Sequence, residues 1–417
     1  MDPQKPQTLM VVAGDPSGDI HAARVVRALL AKRKTLRVFG MGGPSLAAAG
    51  MDVREDLTRQ ALIGFSEVAR HLPLVLRRFR ECEKWLREEK PALLVLVDYP
   101  GFNLRLAQKA YALGVPVCYY VAPQVWAWHP GRIALMKKVI QKLLVILPFE
   151  KEFFKKEGMD AVYVGHPLLE EVRTNAVRPP SLKLRGTSRN WVLKGHGIEP
   201  GFPALASYVK TPGARKLREA GRFPLICAMP GSRGGEIRKI WPLYLEASRL
   251  LREKYPDAAF VVPRPSGIAY TDYKGLKSGD SFFFVDAPAF GPRQTCDLAW
   301  VKSGTGTLET ALLGIPMVIT YKVSRLSGFL AKKLLKVKHV GLVNLLSEKP
   351  VVPELLQEKA TPESLVRESL KILESPPERV RQLKAFTQVK KCLSHPAKAS
   401  ENAAREILKL LAEKKKN

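Results

Sequence analysis

The chain has 417 residues, 46% of them hydrophobic, and 68 Lys and Arg against 39 Asp and Glu give it a formal net charge of +29. That length predicts two or three domains with real cores. No apolar run approaches the roughly 18 residues of a membrane span, the start "MDPQKPQTLMVVAGD" lacks the features of a signal peptide, and five scattered cysteines form no CxxC, so a cytosolic, reduced protein without a zinc site is expected. The charge suits nucleic acid, anionic lipid or an acidic substrate. No zinc finger, RNA-binding signature or interleaved aromatic-basic strand is present, so nucleic acid is not the expected partner.

In chain order, the first 165 residues alternate short apolar runs with helical patterns: "TLMVVAG" then 19–33, "LRVFG", "ALLVLVD" then 103–113, "VPVCYYV", "LLVILP" then 149–157. This alternation predicts a parallel sheet covered on both faces. A second series begins at "FPLICAMPGSRGGE" and runs through "AAFVVP" and "SFFFVD" to "LAWVKSG" and "IPMVITY". Two doubly wound, Rossmann-like α/β domains are expected, residues 1–175 and 223–385, facing across a cleft. Between them, 176–222 holds ten Lys and Arg against two acids, a local +8, and reads as a basic linker or insertion. Residues 386–417 read as a helical tail able to cross back to the first domain.

Ligands of open α/β sheets lie beyond the carboxyl ends of the strands, so chemistry is sought in the loops there. "VKSGTGTLETALLG" (301–314) packs Ser303, Gly304, Thr305, Gly306 and Thr307 between strand and helix, with Glu309 a turn later. Unpaired N–H groups and the positive dipole end of the helix suit a phosphate, and Glu309 could take ribose hydroxyls. The same residues also fit a plain cap with a dipole-complementing acid. "PGSRGGE" repeats the arrangement with Arg233 in the turn, where a guanidinium could clamp phosphate oxygens or join a salt bridge. Neither is a Walker A or GxGxxG pattern.

Asp98 ends the apolar strand "ALLVLV" and is placed either as a general base or as a cap for the next helix, a role Asn103 could also fill. "APQVWAWHPGR" offers Trp126 and Trp128 as a platform for a sugar or acyl chain, or as core, and a lone His129 of the kind that is more often structural than catalytic. In 61–89, Leu72, Val75 and Leu76 with Arg77 and Arg78 fit a membrane-interface patch, and equally a helix packed on the sheet.

Ten ordered stretches carry a resemblance: "AGDPSGD", "GGPSLAAAGM", "GFSEVARHLP", "VDYPGFN", "YYVAPQVWAW", "LPFEKEFF", "VGHPLLE", "PGSRGGEI", "SGTGTLETALLGIPMVITYK" and "LVNLLSEKPVVPELLQ". Over about residues 8–170 and 223–358 the chain resembles the lipid-A-disaccharide synthase family. The resemblance implies a GT-B glycosyltransferase, peripheral on the cytoplasmic face of a Gram-negative inner membrane and drawn to its anionic surface. Such enzymes transfer diacylglucosamine from UDP-diacylglucosamine to diacylglucosamine 1-phosphate (lipid X), giving a β(1→6) disaccharide and UDP, with no required metal or cofactor. It further implies Asp98 as the base for the acceptor 6-hydroxyl. Arg233, Ser232, Gly231, Ser303, Gly304, Thr305, Glu309 and Asn344 would form the donor site, and Ser17, Gly18 and Asn103 would line the cleft from the first domain. Asp15 stands where the family usually has Glu, and 176–222 matches no family stretch. Other readings are a different two-domain nucleotide-sugar enzyme, such as another glycosyltransferase or a UDP-sugar epimerase, and a non-catalytic basic binding protein.

Overall fold

A computed structural model describes residues 7–56, 68–127, 129–175, 224–265, 267–277, 280–287, 289–322, 339–347 and 349–413. The basic 176–222 segment and Trp128 lie outside these residues, and the side chain of Leu72 is likewise not described. The chain divides into two compact units. One runs through Glu170 and resumes from Leu393; the other takes up the chain from Glu171 to Cys392.

The first unit alternates β1 (Thr8–Ala13), α1 (Pro16–Lys32), β2 (Arg37–Gly42), α2 (Pro44–Ala48), β3 (Asp52–Asp56), α3 (Val68–Glu89), β4 (Leu93–Val97), α4 (Pro100–Ala112), β5 (Val117–Tyr120), α5 (Arg132–Val139), β6 (Lys142–Val145), α6 (Pro148–Lys156) and β7 (Ala161–Tyr163). The strands pair in parallel in the order β3-β2-β1-β4-β5-β6-β7. Both faces are buried, which is why the strands read as unbroken apolar runs. Along β1, Leu9, Val11 and Ala13 join one core cluster while Met10 and Val12 join the other; β4 splits the same way. After α7 (Pro167–Asn175) the chain enters the second unit.

That unit contains β8 (Leu225–Met229), α8 (Gly234–Lys254), β9 (Ala259–Arg264), β10 (Phe282–Asp286), α9 (Phe290–Gln294), β11 (Leu298–Lys302), α10 (Thr305–Leu312), β12 (Met317–Tyr321), α11 (Leu342–Leu345), β13 (Glu354–Leu356), α12 (Pro362–Glu374) and α13 (Pro376–Leu393). Its parallel sheet has the order β10-β9-β8-β11-β12-β13. The last helix, α14 (Ala399–Glu413), belongs to the first unit, where it packs on α1 and places Ala403, Ala404, Ile407 and Leu411 in the core. Ser400 ties its first turn to Glu170, donating from Oγ at 2.7 Å.

In each sheet the strand order reverses direction at one place, between β1 and β4 and between β8 and β11. Loops leaving such a pair diverge to opposite faces and open a crevice at the carboxyl edge. Of the loops singled out in the sequence, those carrying Ser17, Asp98, Arg233 and Thr305 leave these four strands, and the Trp126 loop leaves β5.

Candidate active site

At the first switch point, β4 delivers Asp98 to the sheet edge. Asp98 and Tyr99 both take positive φ, 47° and 50°, which turns the chain sharply from strand into α4. Consecutive left-handed residues other than glycine are uncommon and need support. Some of it comes from the neighbouring loop: a Cβ on Gly14 would lie 2.2 Å from the Tyr99 ring, so that ring packs where only a glycine leaves room. Tyr99 also stacks on Phe102, centroids 5.8 Å apart. The N-cap position of α4 is Tyr99, whose side chain makes no cap hydrogen bond.

The residues of the first unit expected to line a ligand surface are mostly occupied. Asp15 caps α1 by accepting from Gly18 N at 3.1 Å, and Ser17 Oγ donates to the same carboxylate at 2.6 Å. Gly18 is buried beneath Asp15 Oδ1, 2.5 Å from the position of a Cβ, so its N–H is spent and it offers no surface. Asp19, buried, accepts from Gly43, Ser45 and Leu46 N–H and caps α2. Asn103 is wholly buried; its amide donates to Val97 O at 3.2 Å and Asp98 O at 2.7 Å, so it braces the turn.

Sequence reasoning missed Glu150. It is buried at the start of α6, accepting from Leu147 N at 3.0 Å and from Trp126 Nε1 at 3.1 Å. Burial pushes its carboxyl up to about 7 against those hydrogen bonds, and the Asp98 charge adds to the rise. A second acid is therefore electrostatically coupled to Asp98, and it fixes the indole of the 121–127 loop.

At the second switch point, β8 and β11 are hydrogen-bonded neighbours. Gly231, at φ 140°, lets the first loop pass over Glu236, whose Cβ would lie 2.8 Å from a Cβ at 231. Glu236 accepts from Ser232 N at 3.2 Å and from Lys302 Nζ at 2.8 Å, joining the two loops. Burial raises its carboxyl, but Lys302 and Arg233 together with the Ser232 N–H hold it below the usual range. The Arg233 side chain is exposed and makes no cap. On the neighbouring loop Gly304 and Thr305 are exposed, Gly304 at φ 147°, and no side chain caps α10. Ser303 is buried, donating from Oγ to Val340 O at 2.9 Å.

Glu309 has a partner the sequence did not announce. Arg293, 1% exposed, donates from Nη1 to Glu309 Oε2 at 2.8 Å and from Nη2 to Thr310 Oγ1 at 3.2 Å. Among the described residues, no hydrogen bond engages Glu309 Oε1. Asn344 is a correction. Its amide donates to Val352 O and to Glu354 Oε1, each at 2.8 Å, and its carbonyl accepts from Val351 and Val352 N–H, each at 2.9 Å. All four positions are spent on folding the 351–354 segment, and none is left for a donor sugar.

The α3 residues divide. Leu76 is 44% exposed and Arg77 is exposed beside Glu81, whereas Val75 packs against the core. Arg78 is removed from the expected surface patch: buried, it donates from Nε and Nη2 to Glu55 Oε1 at 2.9 and 2.8 Å. Among the described residues no three His, Cys, Asp or Glu side chains converge as a metal site.

The lipid-A-disaccharide synthetase family model matches residues 9–184 and 210–408. Lipid-A-disaccharide synthase of Geobacter sulfurreducens is 36% identical over 405 residues, covering 97% of both chains. The Syntrophus aciditrophicus enzyme is 35% identical over 406 residues, also covering 97% of both. Among solved structures, Methanocaldococcus jannaschii UDP-GlcNAc 2-epimerase, in complex with UDP-GlcNAc and UDP, aligns with a TM-score of 0.56 at 13% identity over 98% of this chain and 99% of its own. The glycotransferase of kitacinnamycin aligns at 0.55 with 15% identity, over 98% and 100%. At such identities these two share the fold: a pair of Rossmann-like units.

Proposed function

The chain belongs to the lipid-A-disaccharide synthase family, and we propose that its two switch points serve the two halves of a single inverting transfer. It is a UDP-sugar-dependent glycosyltransferase of lipid A biosynthesis, moving diacylglucosamine from UDP-diacylglucosamine to lipid X to form the β(1→6) disaccharide 1-phosphate and UDP. Asp98 takes the proton of the acceptor 6-hydroxyl as that oxygen attacks the anomeric carbon. The bond to the UDP oxygen breaks on the opposite face, inverting the centre without a covalent intermediate. The charge left on the β-phosphate is met by Arg233 and by the N–H groups at the starts of α8 and α10, while Glu309 Oε1 takes the ribose. Ser232 and Thr305 shape the phosphate pocket, while Ser303, with its N–H given to Thr320 O and its hydroxyl to Val340 O, braces the loop instead of meeting the phosphate.

The observation that carries this reading is the pair of adjacent helix N-termini at the β8/β11 edge, neither with a side-chain cap, beside the exposed Arg233. Two sets of unpaired N–H groups and a guanidinium suit a diphosphate. Incubating purified protein with UDP-diacylglucosamine and lipid X and weighing the products by mass spectrometry tests it. A tetra-acyl disaccharide 1-phosphate is expected. Epimerised or hydrolysed donor in the absence of lipid X would instead support a UDP-sugar epimerase or hydrolase.

Both substrates carry acyl chains anchored in lipid. Among the described residues no helix is long and apolar enough to cross a membrane. On this reading the enzyme works peripherally at the cytoplasmic face of the inner membrane, where its acyl-chain substrates lie, with Leu76 and Arg77 of α3 set against anionic head groups.

A further inference from the structure

We propose that Tyr119 and Asn103 are positioning residues that clamp the Asp98 carbonyl, hold residue 98 in its left-handed conformation and so aim its carboxylate. The inference rests on Asp98 being the base. Tyr119 Oη donates to Asp98 O at 2.6 Å and Asn103 Nδ2 donates to the same oxygen at 2.7 Å. A carbonyl oxygen has two lone pairs, and here each is given a side-chain donor. The Asp98 N–H is also fixed, donating to Tyr120 O at 3.1 Å. The peptide groups on both sides of the Asp98 Cα are thus held, and the direction of its Cβ follows from them.

Nothing in ordinary folding requires this arrangement. A strand-to-helix turn is normally made with glycine or asparagine where φ is positive, yet Asp98 and Tyr99 stand at 47° and 50°. Strain of this kind persists only where the surroundings over-determine it. The clamp itself also carries a cost. Asn103 Oδ1 is buried and has no hydrogen-bond donor among the described residues. Turning the amide over would set that oxygen against the Val97 and Asp98 carbonyls, so the side chain leaves one acceptor unsatisfied in order to present its N–H₂. Tyr119 is buried too, and burial together with the nearby Asp98 charge keeps its hydroxyl protonated and available as a donor. The two donors reach the turn from different elements, β5 and α4, which makes the position of residue 98 a property of the packed sheet rather than of a loop.

Displacing a reacting group by about 1 Å can cost about 10²-fold in rate. Tyr119→Phe keeps the buried ring and deletes one donor. It is expected to lower kcat by about 10- to 100-fold, while the KM for UDP-diacylglucosamine and the affinity for UDP stay unchanged. The decisive readout is the same change made in an Asp98→Asn background, since asparagine tolerates left-handed φ and removes only the base. If Tyr119 acts through the carboxylate, Tyr119→Phe should leave the residual single-turnover rate of Asp98→Asn untouched. Wild-type turnover in Tyr119→Phe, or an equal loss in both backgrounds, would overturn the clamp. Asp98→Asn that turns over like wild type would remove the base itself, and the clamp's purpose with it; that result is distinguishable because it needs no change at 119.

Discussion

Replacing Arg293 by Met removes a buried cation while keeping an unbranched side chain in its place. In the native protein that cation, 1% exposed, holds Glu309 at 2.8 Å and Thr310 at 3.2 Å. Removing one partner of a buried pair typically costs about 3–5 kcal/mol because the other charge is left without compensation. The Glu309 side chain is 21% exposed, so water reaches the abandoned carboxylate, and the low end, about 3 kcal/mol, is expected. For a unit of this size that corresponds to a fall in melting temperature of about 6–12 °C. Calorimetric titration should show UDP binding weakened by about 10- to 100-fold, the worth of one charge-assisted hydrogen bond to a ribose that Glu309 no longer meets. The double variant Arg293→Met with Glu309→Gln separates fold from ligand. With no unpaired charge its melting temperature should recover most of the loss, whereas UDP affinity should stay low. Affinity that recovers together with stability would refute Glu309 as a ribose ligand and leave the pair a purely structural one.

Arg233→Ala should weaken UDP binding by about 10- to 100-fold through loss of a charge-assisted contact, and should leave the melting temperature nearly unchanged because the side chain is exposed. His21 and His166 are buried, and burial pushes each down to about 3, with Arg24 adding to the shift of His21 and His21 to that of His166. The folded state refuses their protons, so their contribution to stability is complete above about pH 6.5 and is lost as pH falls towards 3. By pH 5 each should cost about 2 kcal/mol; His21→Leu should lose about that much less than wild type in urea unfolding between pH 7.5 and 5, and an unchanged pH dependence would show that His21 takes up its proton without penalty. Leu76→Ser with Arg77→Ser should reduce sedimentation with anionic vesicles at unchanged melting temperature, whereas Val75→Ser should lower the melting temperature. A folded double variant that binds vesicles as tightly as wild type removes the patch.

What could be read in advance was whatever depends on local pattern. Apolar runs buried on both faces announced the central strands, and Gly/Ser-rich loops after them announced the switch points. The short edge strands β3 and β13 were not legible: "DVRED" and "ELL" are brief and partly polar, and only the strand they pair with makes them strands. Polar partners distant in sequence were equally hidden. Glu236 meets Lys302 across 66 residues and Arg78 meets Glu55 across 23, distances no periodicity encodes. The amphipathic pattern of α3 fits a membrane face and a sheet face alike, and it is Cys82 and Leu86 in the core, with Val75, Phe79 and Trp85 packed on it, that lie inward. Asn344 misled for the opposite reason: a polar residue in a promising stretch, it is consumed by four hydrogen bonds to its own neighbourhood.

The two units take one architecture to opposite electrostatic ends. At the β1/β4 edge the helix start that could hold an anion is already filled: Asp15 occupies the first turn of α1, and Asp19, one turn in, occupies that of α2. An anionic ligand gains little there, and burial with the Asp98 charge pushes the Glu150 carboxyl up to about 7. At the β8/β11 edge the helix starts carry no side-chain cap, and the one acid in the first turn of α8, Glu236, is neutralised by Lys302. Arg233 stands exposed at the start of α8, and the edge favours an anion. Proton removal and leaving-group stabilisation make contrary demands on local potential, and a single switch point could not meet both without each weakening the other. Held on separate sheets, each edge keeps the potential its own groups set: helix starts already filled by carboxylates at the first, uncapped helix starts at the second.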